Sequence, residues 1–473
     1  MNVILLLATI FWIAPAIVAD CKHQKSCYAC ASTTSWDGET GRWCALDKQC
    51  HAVGAGAGLK VPFTDWAITK GFGDNPCTLN RNIISKSACD LYHQQEPEPV
   101  YDSKMAYDLL LLSAAAYDDA PHVCMEHMQE NIPDIDTDFQ IEATFIEECS
   151  LMRPTGRCVA VLGYAHDKQR ITIAFRGTES HTDQLEDEIL TVLLTSKVGF
   201  EDGGNGEVQR YFENAYYVLK GCLFDRLDEM MTSYPNYNVV VTGHSLGGAV
   251  ATITAYQLIK QGKVPREKLE LYTFGSPRAG DKNFAFEHST TVRTSWRVVH
   301  YKDCVVHIPT CKGPCTEAGE KSPYQVRTEV YYGEWDMTPR SPYRVCHTNE
   351  LDRLCSSQFQ TFSYEVLVKG KRICKPNHKN YFGIPVGTYC SEQVGSERKK
   401  RSLEYDWADR INLSNKTCNV LEKKNGIWVA KNEARQLKAN RLKSGKGSST
   451  KLQANKGAVA MVIALVWQIF SVN

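Results

Sequence analysis

The strongest chemical signal in the chain is Val239-Val240-Val241-Thr242-Gly243-His244-Ser245-Leu246-Gly247-Gly248-Ala249. A serine hydroxyl is a useful nucleophile when it stands on a tight turn beside a base, and Gly-x-Ser-x-Gly is the spacing of such a turn. The serine backbone is strained there, so the residues two places to either side must lack side chains for strand and helix to approach. Gly243 and Gly247 meet that need, and Gly248 relieves further crowding. The bare pattern arises by chance in roughly one chain of this length in ten, so its context decides. An apolar strand runs in and an Ala-rich helix runs out, with the helix N-terminus placed to favour developing negative charge. Ser245 is the candidate nucleophile for acyl transfer.

Such a serine needs a base, and the base an orienting carboxylate, following in the order Ser, Asp, His. Asp303 ends the β-rich run Arg297-Val298-Val299-His300-Tyr301-Lys302, where a loop at the carboxyl edge of a sheet should begin. Asp281, the rival, lies in the turn after Pro277-Arg278-Ala279-Gly280 with no strand leading to it. For the base, His307, His347 and His378 all lie downstream. His307 would have to fold straight back, His347 adjoins Cys346, and spacing favours His378 only modestly.

The surrounding elements fit a sheet that could hold these groups. Val159–Gly163, Ile171–Phe175, Asn238–Thr242, Leu269–Phe274, Trp296–Tyr301 and Glu329–Tyr332 read as strands. Ala106–Tyr117, Gln209–Ser233 and Ala249–Ile259 read as helices. The second places Phe212, Ala215, Tyr216, Leu219, Leu223, Leu227 and Met230 on one face. Strand and helix alternating at this spacing predict an α/β fold with an at least partly parallel sheet.

These residues resemble the class 3, fungal-type lipase family from about 104 to 394. The matching blocks are Ile173-Ala174-Phe175-Arg176-Gly177-Thr178, the elbow, Leu271-Tyr272-Thr273-Phe274-Gly275-Ser276-Pro277-Arg278, and Asp303-Cys304-Val305-Val306-His307-Ile308-Pro309. A fifth, Asn377-His378-Lys379-Asn380-Tyr381-Phe382-Gly383-Ile384 with Gly387 and Cys390, carries the catalytic histidine in that family. The resemblance implies an α/β-hydrolase fold and a triad of Ser245, His378 and Asp303. It also implies an oxyanion hole from the backbone N–H groups of Thr178 and Leu246, with no metal or organic cofactor. It implies pairing of Cys346 with Cys355 and of Cys390 with Cys124, and by analogy of Cys149 with Cys158. The added cysteines look like an animal, particularly nematode, branch. Where fungal enzymes carry a lid helix with an aromatic, this chain has the acidic segment Glu179–Leu190. That segment reads as a lid or, nearly as well, as a solvated surface helix, so the sequence does not decide interfacial activation or a preference for long-chain triacylglycerol.

Composition bounds the rest. The 473 residues carry 54 basic and 54 acidic side chains, are 43% hydrophobic and include 19 cysteines. A disordered chain and a multi-span membrane protein are excluded, and zero net charge argues against a nucleic-acid partner. The cysteine load points to the secretory pathway. Residues 1–19 read as a signal peptide and 20–95 as a cysteine-rich module. Its Cys21-x5-Cys27-x2-Cys30 opening and Trp43-Cys44 pair resemble the plexin–semaphorin–integrin module. Residues 104–394 form the hydrolase domain. Residues 395–457 are expected to be a polar tail, with 16 Lys+Arg against 6 Asp+Glu over 396–456, and sequons at Asn412 and Asn415. Arg398–Arg401 offers a processing site. The apolar end, 458–473, follows Gly447-Ser448-Ser449 and a polar spacer, the pattern of a glycolipid-anchor signal, with a short retained anchor as the alternative. An odd cysteine count leaves one unpaired, with Cys222 the candidate ahead of Cys304 and Cys418.

The expected function is hydrolysis of lipid carboxylic esters at a lipid surface, outside the cell. A phospholipase or general carboxylesterase is the alternative, and a non-catalytic surface-binding protein on the same scaffold is the rival from a different class.

Overall fold

The computed structural model describes residues 40–44, 49–53, 83–84, 99–133, 135–149, 157–177, 196–310, 321–346, 354–362, 374–394, 417–424 and 427–434. The expected signal peptide, most of the expected cysteine-rich module, the acidic segment 179–190, Asn412 and Asn415, the basic quartet and the apolar end lie outside these residues. Strands β1 (Thr40–Cys44), β2 (Gln49–Val53) and β3 (Ile83–Ile84) make a small antiparallel sheet. Helix α1 (Ser103–Ala115) starts at Asp102, whose carboxylate accepts from the Lys104 and Met105 amides at 2.9 and 3.0 Å. That bond satisfies two of the orphan donors of the first turn. Helix α2 (Pro121–Asn131) opens on a proline, whose missing N–H costs nothing at that position.

The chain then builds β4 (Gln140–Glu148), β5 (Arg157–Ala165) and β6 (Arg170–Phe175) as an antiparallel meander. Short strands β7 (Lys197–Gly199) and β8 (Glu207–Gln209) lead into α3 (Arg210–Ser233). Next come β9 (Asn238–His244), α4 (Leu246–Lys260), β10 (Leu269–Phe274), β11 (Gly280–Asp281), α5 (Lys282–Thr291) and β12 (Thr294–His300). Then follow β13 (Pro323–Tyr324), β14 (Glu329–Tyr332), β15 (Arg344–Cys346), α6 (Cys374–Lys379), β16 (Asn380–Tyr381), β17 (Ile384–Pro385) and α7 (Tyr389–Gln393). Last are β18 (Thr417–Lys424) and β19 (Ile427–Ala434). The main sheet has the order β15-β14-β12-β10-β9-β6-β5-β4-β18-β19. Strands β14, β12, β10, β9 and β6 are mutually parallel.

A parallel sheet must be covered on both faces, which is why β9 is apolar at consecutive positions. Val239 and Val241 pack into the cluster under α3 and α4, with Ile171, Ile173, Leu269 and Leu271. Val240 points the other way, into the cluster under α1 and α2 with Tyr272, Phe274 and Val298. Each such side chain contributes about 1.5–3 kcal/mol on burial. Parallel strands joined by helices on one face, α1 and α2 covering the other, and a strand–serine–helix turn at the sheet's centre make this an α/β-hydrolase fold.

One expectation is corrected. Part of the supposed tail is sheet: β18 pairs antiparallel with β4, Val420 opposite Phe145, and β19 pairs with β18. Val420 is buried, and Glu422 forms an ion pair with Arg226 of α3. The lysine-rich composition hid a strand that covers the edge of β4, a common use for a charged outer strand. The signal was present in Asn425-Gly426, which separates the paired residues Lys424 and Ile427. That dipeptide is a strong hairpin marker, here followed by Ile427-Trp428-Val429.

Candidate active site

The carboxyl ends of the parallel strands converge on one edge of the sheet. Ser245 follows β9 with φ 59° and ψ −130°, a left-handed conformation that costs a non-glycine residue energy. It persists because strand and helix clamp it from both sides. A Cβ on Gly243 would run into the Gly247 carbonyl, and one on Gly247 into the backbone of Phe175 and Arg176. Ser245 N–H donates to the Phe274 carbonyl of β10 at 2.8 Å, which seats the turn on the next strand. Leu246, the first residue of α4, is buried beside it. Thr178, the other expected oxyanion donor, lies outside the described residues.

Asp303 sits just beyond β12, past Tyr301, which also has a positive φ of 40°. His378 comes from α6, and Phe382 shortly after it has φ 53°. His378 Nε2 lies 2.8 Å from Ser245 Oγ, and Nδ1 lies 3.0 and 2.9 Å from the two Asp303 oxygens. All three residues are about 1% exposed. Asp303 also accepts from the Tyr381 hydroxyl at 2.6 Å and the Val305 amide at 2.9 Å. Burial pushes the Asp303 carboxyl up, but the His378 charge and the bonds from His378, Tyr381 and Val305 outweigh it and hold the carboxyl below its usual value. Burial, then the Asp303 charge, drives the Tyr381 hydroxyl far up, so it stays a donor. Gly275, at φ 57°, lies under this pair, since a Cβ there would meet Asp303 Oδ2 at 2.7 Å and His378 Nδ1 at 3.0 Å.

The alternatives go elsewhere. Asp281 caps α5, accepting from the Phe284 amide at 2.9 Å. His307 is buried beside Arg278 and Arg297; burial first, then those cations, lower its pKa to about 3. His347 lies outside the described residues. Sequence reasoning missed Tyr381, Gly275, His244 and Tyr117. Three of these, Tyr381, Gly275 and His244, stood inside blocks already singled out, but their contacts are long-range.

Disulfides brace the site. Cys124–Cys390 joins α2 to α7, with Cα atoms 5.5 Å apart and 266 residues between them. Cys149–Cys158 links the ends of β4 and β5, and Cys346–Cys355 closes a short loop after β15. Each such bond contributes typically about 2–4 kcal/mol. Cys222, expected to be an unpaired thiol, is disulfide-bonded, as is Cys304. Its place at the edge of the α3 apolar arc leaves it within reach of a partner sulfur, so burial there does not mark a free thiol.

A serine, an imidazole and a carboxylate in relay, on an elbow at the carboxyl edge of this sheet, define a serine hydrolase. The comparisons are specific. The class 3 lipase family matches residues 172–313. A lipase of Caenorhabditis elegans is 29% identical over 338 residues, covering 64% of this chain and 91% of that protein. The lipase of Rhizomucor miehei is 29% identical over 231 residues, and the match spans 48% of this chain and 56% of that enzyme. A solved structure of the Rhizomucor miehei lipase–propeptide complex aligns with TM-score 0.48 at 25% identity, covering 60% of this chain and 81% of that one. Residues 172–313 thus carry the pattern of the class 3 lipase family, and a nematode lipase is among the relatives that extend the likeness beyond them.

Proposed function

We propose that the chain hydrolyses lipid carboxylic esters through an acyl-enzyme on Ser245. The observation that carries this reading is the continuous hydrogen-bond path from Ser245 Oγ through His378 to Asp303, at 2.8 and 2.9 Å. Ser245 Oγ attacks the ester carbonyl carbon while His378 Nε2 takes its proton; Asp303 holds the imidazole and stabilises its cation. The tetrahedral oxyanion is met by the Leu246 N–H at the start of α4 and, on the family resemblance, by Thr178. A single donor of this kind is worth about 10²–10³ in turnover. His378 then protonates the leaving alcohol as the C–O bond breaks. Water repeats the sequence on the acyl-enzyme, releasing the fatty acid and returning the proton to Ser245.

The substrate is a triacylglycerol-like ester presented at a lipid surface. The relatives' names support an acylglycerol ester more broadly: several are lipases, and one is a secreted mono- and diacylglycerol lipase of Penicillium cyclopium, 32% identical over 144 residues. The protein works outside the cell, in keeping with its disulfides and N-terminal apolar run, and its C-terminal signal attaches it to a glycolipid anchor. Among the described residues no helix is long and apolar enough to cross a membrane. The test is hydrolysis by the purified chain, with Ser245→Ala as blank, of emulsified triacylglycerol, phosphatidylcholine vesicles and a soluble aryl ester. Triacylglycerol turnover well above the others is expected. Turnover confined to phosphatidylcholine or to the aryl ester would replace the triacylglycerol reading with the phospholipase or carboxylesterase one. No turnover above the blank on any of them would leave a non-catalytic scaffold.

A further inference from the structure

Helix α6 is only six residues long and ends at the turn that carries the base. The last carbonyls of any helix lack intrahelical partners and are usually met by water or a glycine cap. Here four successive carbonyls have protein partners. Asn377 O lies 3.1 Å and Asn380 O 2.6 Å from His300 Nδ1, His378 O lies 2.8 Å from His244 Nε2, and Lys379 O accepts from the Val386 amide at 2.9 Å. Two non-catalytic histidines, one from the end of β9 and one from the end of β12, therefore grip the backbone around the base.

We propose that His244 and His300 are positioning residues that set where the His378 imidazole stands relative to Ser245. This inference rests on the triad reading above. A carbonyl can only accept, so a ring nitrogen that bonds to one does so as an N–H donor. For His244 this fixes the tautomer: Nε2–H donates to His378 O, and Nδ1 accepts the Tyr117 hydroxyl proton at 2.8 Å. The His244 ring also stacks on the His378 ring, with centroids 4.8 Å apart and planes 30° apart. Burial, then the His378 charge, lowers the His244 pKa to about 3, so a neutral ring faces the base throughout its working range. His300 reaches a second loop as well, its Nε2 standing 2.9 Å from the Trp335 carbonyl. Its own amide points at the Tyr381 hydroxyl at 3.3 Å, the same hydroxyl that donates to Asp303. His300 thus touches the support of both the base and the acid.

The elbow needs none of this, because Ser245 is held by its own neighbours. The clamp's expected signature is a loss of kcat in correctly folded molecules. Displacing a catalytic group by about 1 Å costs on the order of 10²-fold in rate. The experiment measures kcat per active site, titrated with a fluorophosphonate, and KM on a soluble aryl ester, for His244→Leu, His300→Leu and the amide variants His244→Gln and His300→Gln. The leucine variants should lose about 10- to 100-fold in kcat per titrated site with KM within about twofold, and the glutamine variants, which restore an N–H, should recover part of it. A merely structural role would shrink the titrated fraction and leave kcat per site at the wild-type value, and that result overturns the proposal. Should the leucine variants not fold, Tyr117→Phe decides, since it removes the hydroxyl that holds the His244 ring at its other nitrogen. A fall of about threefold or more in kcat per site supports the clamp, and an unchanged value overturns it. If the wild type titrates no sites at all, the triad reading fails instead, which is a different result.

Discussion

The elbow at Ser245 and the turn at His378 are both buried, and a positive-φ residue stands at or near each, yet they are held by opposite means. At the elbow, the residues that permit the conformation lie within three positions of the serine. Gly243 and Gly247 face each other, and the turn is covalently continuous with a core strand and a core helix. At the histidine turn nothing local suffices. Its carbonyls bond to side chains from β9 and β12, its acid comes from 75 residues upstream, and a disulfide closing 266 residues ties down α7 behind it. A strained nucleophile can be built into a short motif, whereas a base that must meet two partners is placed by the tertiary fold.

The contrast makes predictions of decreasing size. Asp303→Asn keeps the shape of the histidine turn but removes the charge that fixes the imidazole. It should lower kcat about 10³- to 10⁴-fold with an unchanged melting temperature. A loss of only tenfold would mean that the turn, and not the acid, orients His378. Gly247→Val should break the elbow itself, because its side chain would enter the Phe175 and Arg176 backbone. Folded yield and activity should fall together, the reverse of the Asp303 pattern. Tyr381→Phe removes one donor from a buried carboxylate, a change worth about 1–3 kcal/mol. Its kcat should drop roughly tenfold, and a wild-type value would show that the Val305 and His378 bonds are enough.

The smallest effect concerns pH. Burial lowers the pKa of His288, which packs against Tyr256 and Phe284, to about 3. An unfolded histidine titrates near 6.5, so between those values the unfolded chain binds the extra proton. Stability is therefore present above 6.5 and lost as pH falls toward 3. His244 and His307, lowered the same way, add to this limb. Replacing His288 with leucine should shrink the fall in melting temperature between pH 7 and pH 5 by about 3 °C. An unchanged fall would show that His288 does not titrate on unfolding as its burial requires.

The same contrast explains what could be read from the sequence. The elbow, the strands β6, β9, β10, β12 and β14, and the place of Asp303 at a strand end follow from apolar runs and glycine spacing, which act over a few residues. Spacing alone left His378 only modestly ahead of His307 and His347, and the family resemblance made the choice. The grip of His244 and His300 has no local signature, since a histidine inside an apolar strand reads as core. Strands β18 and β19 were hidden because lysines outweigh the Asn425-Gly426 marker in any compositional reading.

The central claim is that Ser245 is the nucleophile of the relay, and covalent labelling tests it most directly. The purified chain is treated with a fluorophosphonate and its peptides are mapped by mass spectrometry. One label per chain should appear, on Ser245. It should be absent in Ser245→Ala and slowed by orders of magnitude in His378→Ala, because the relay works as a unit. Label on another residue, or label that persists at the wild-type rate in Ser245→Ala, would contradict the assignment.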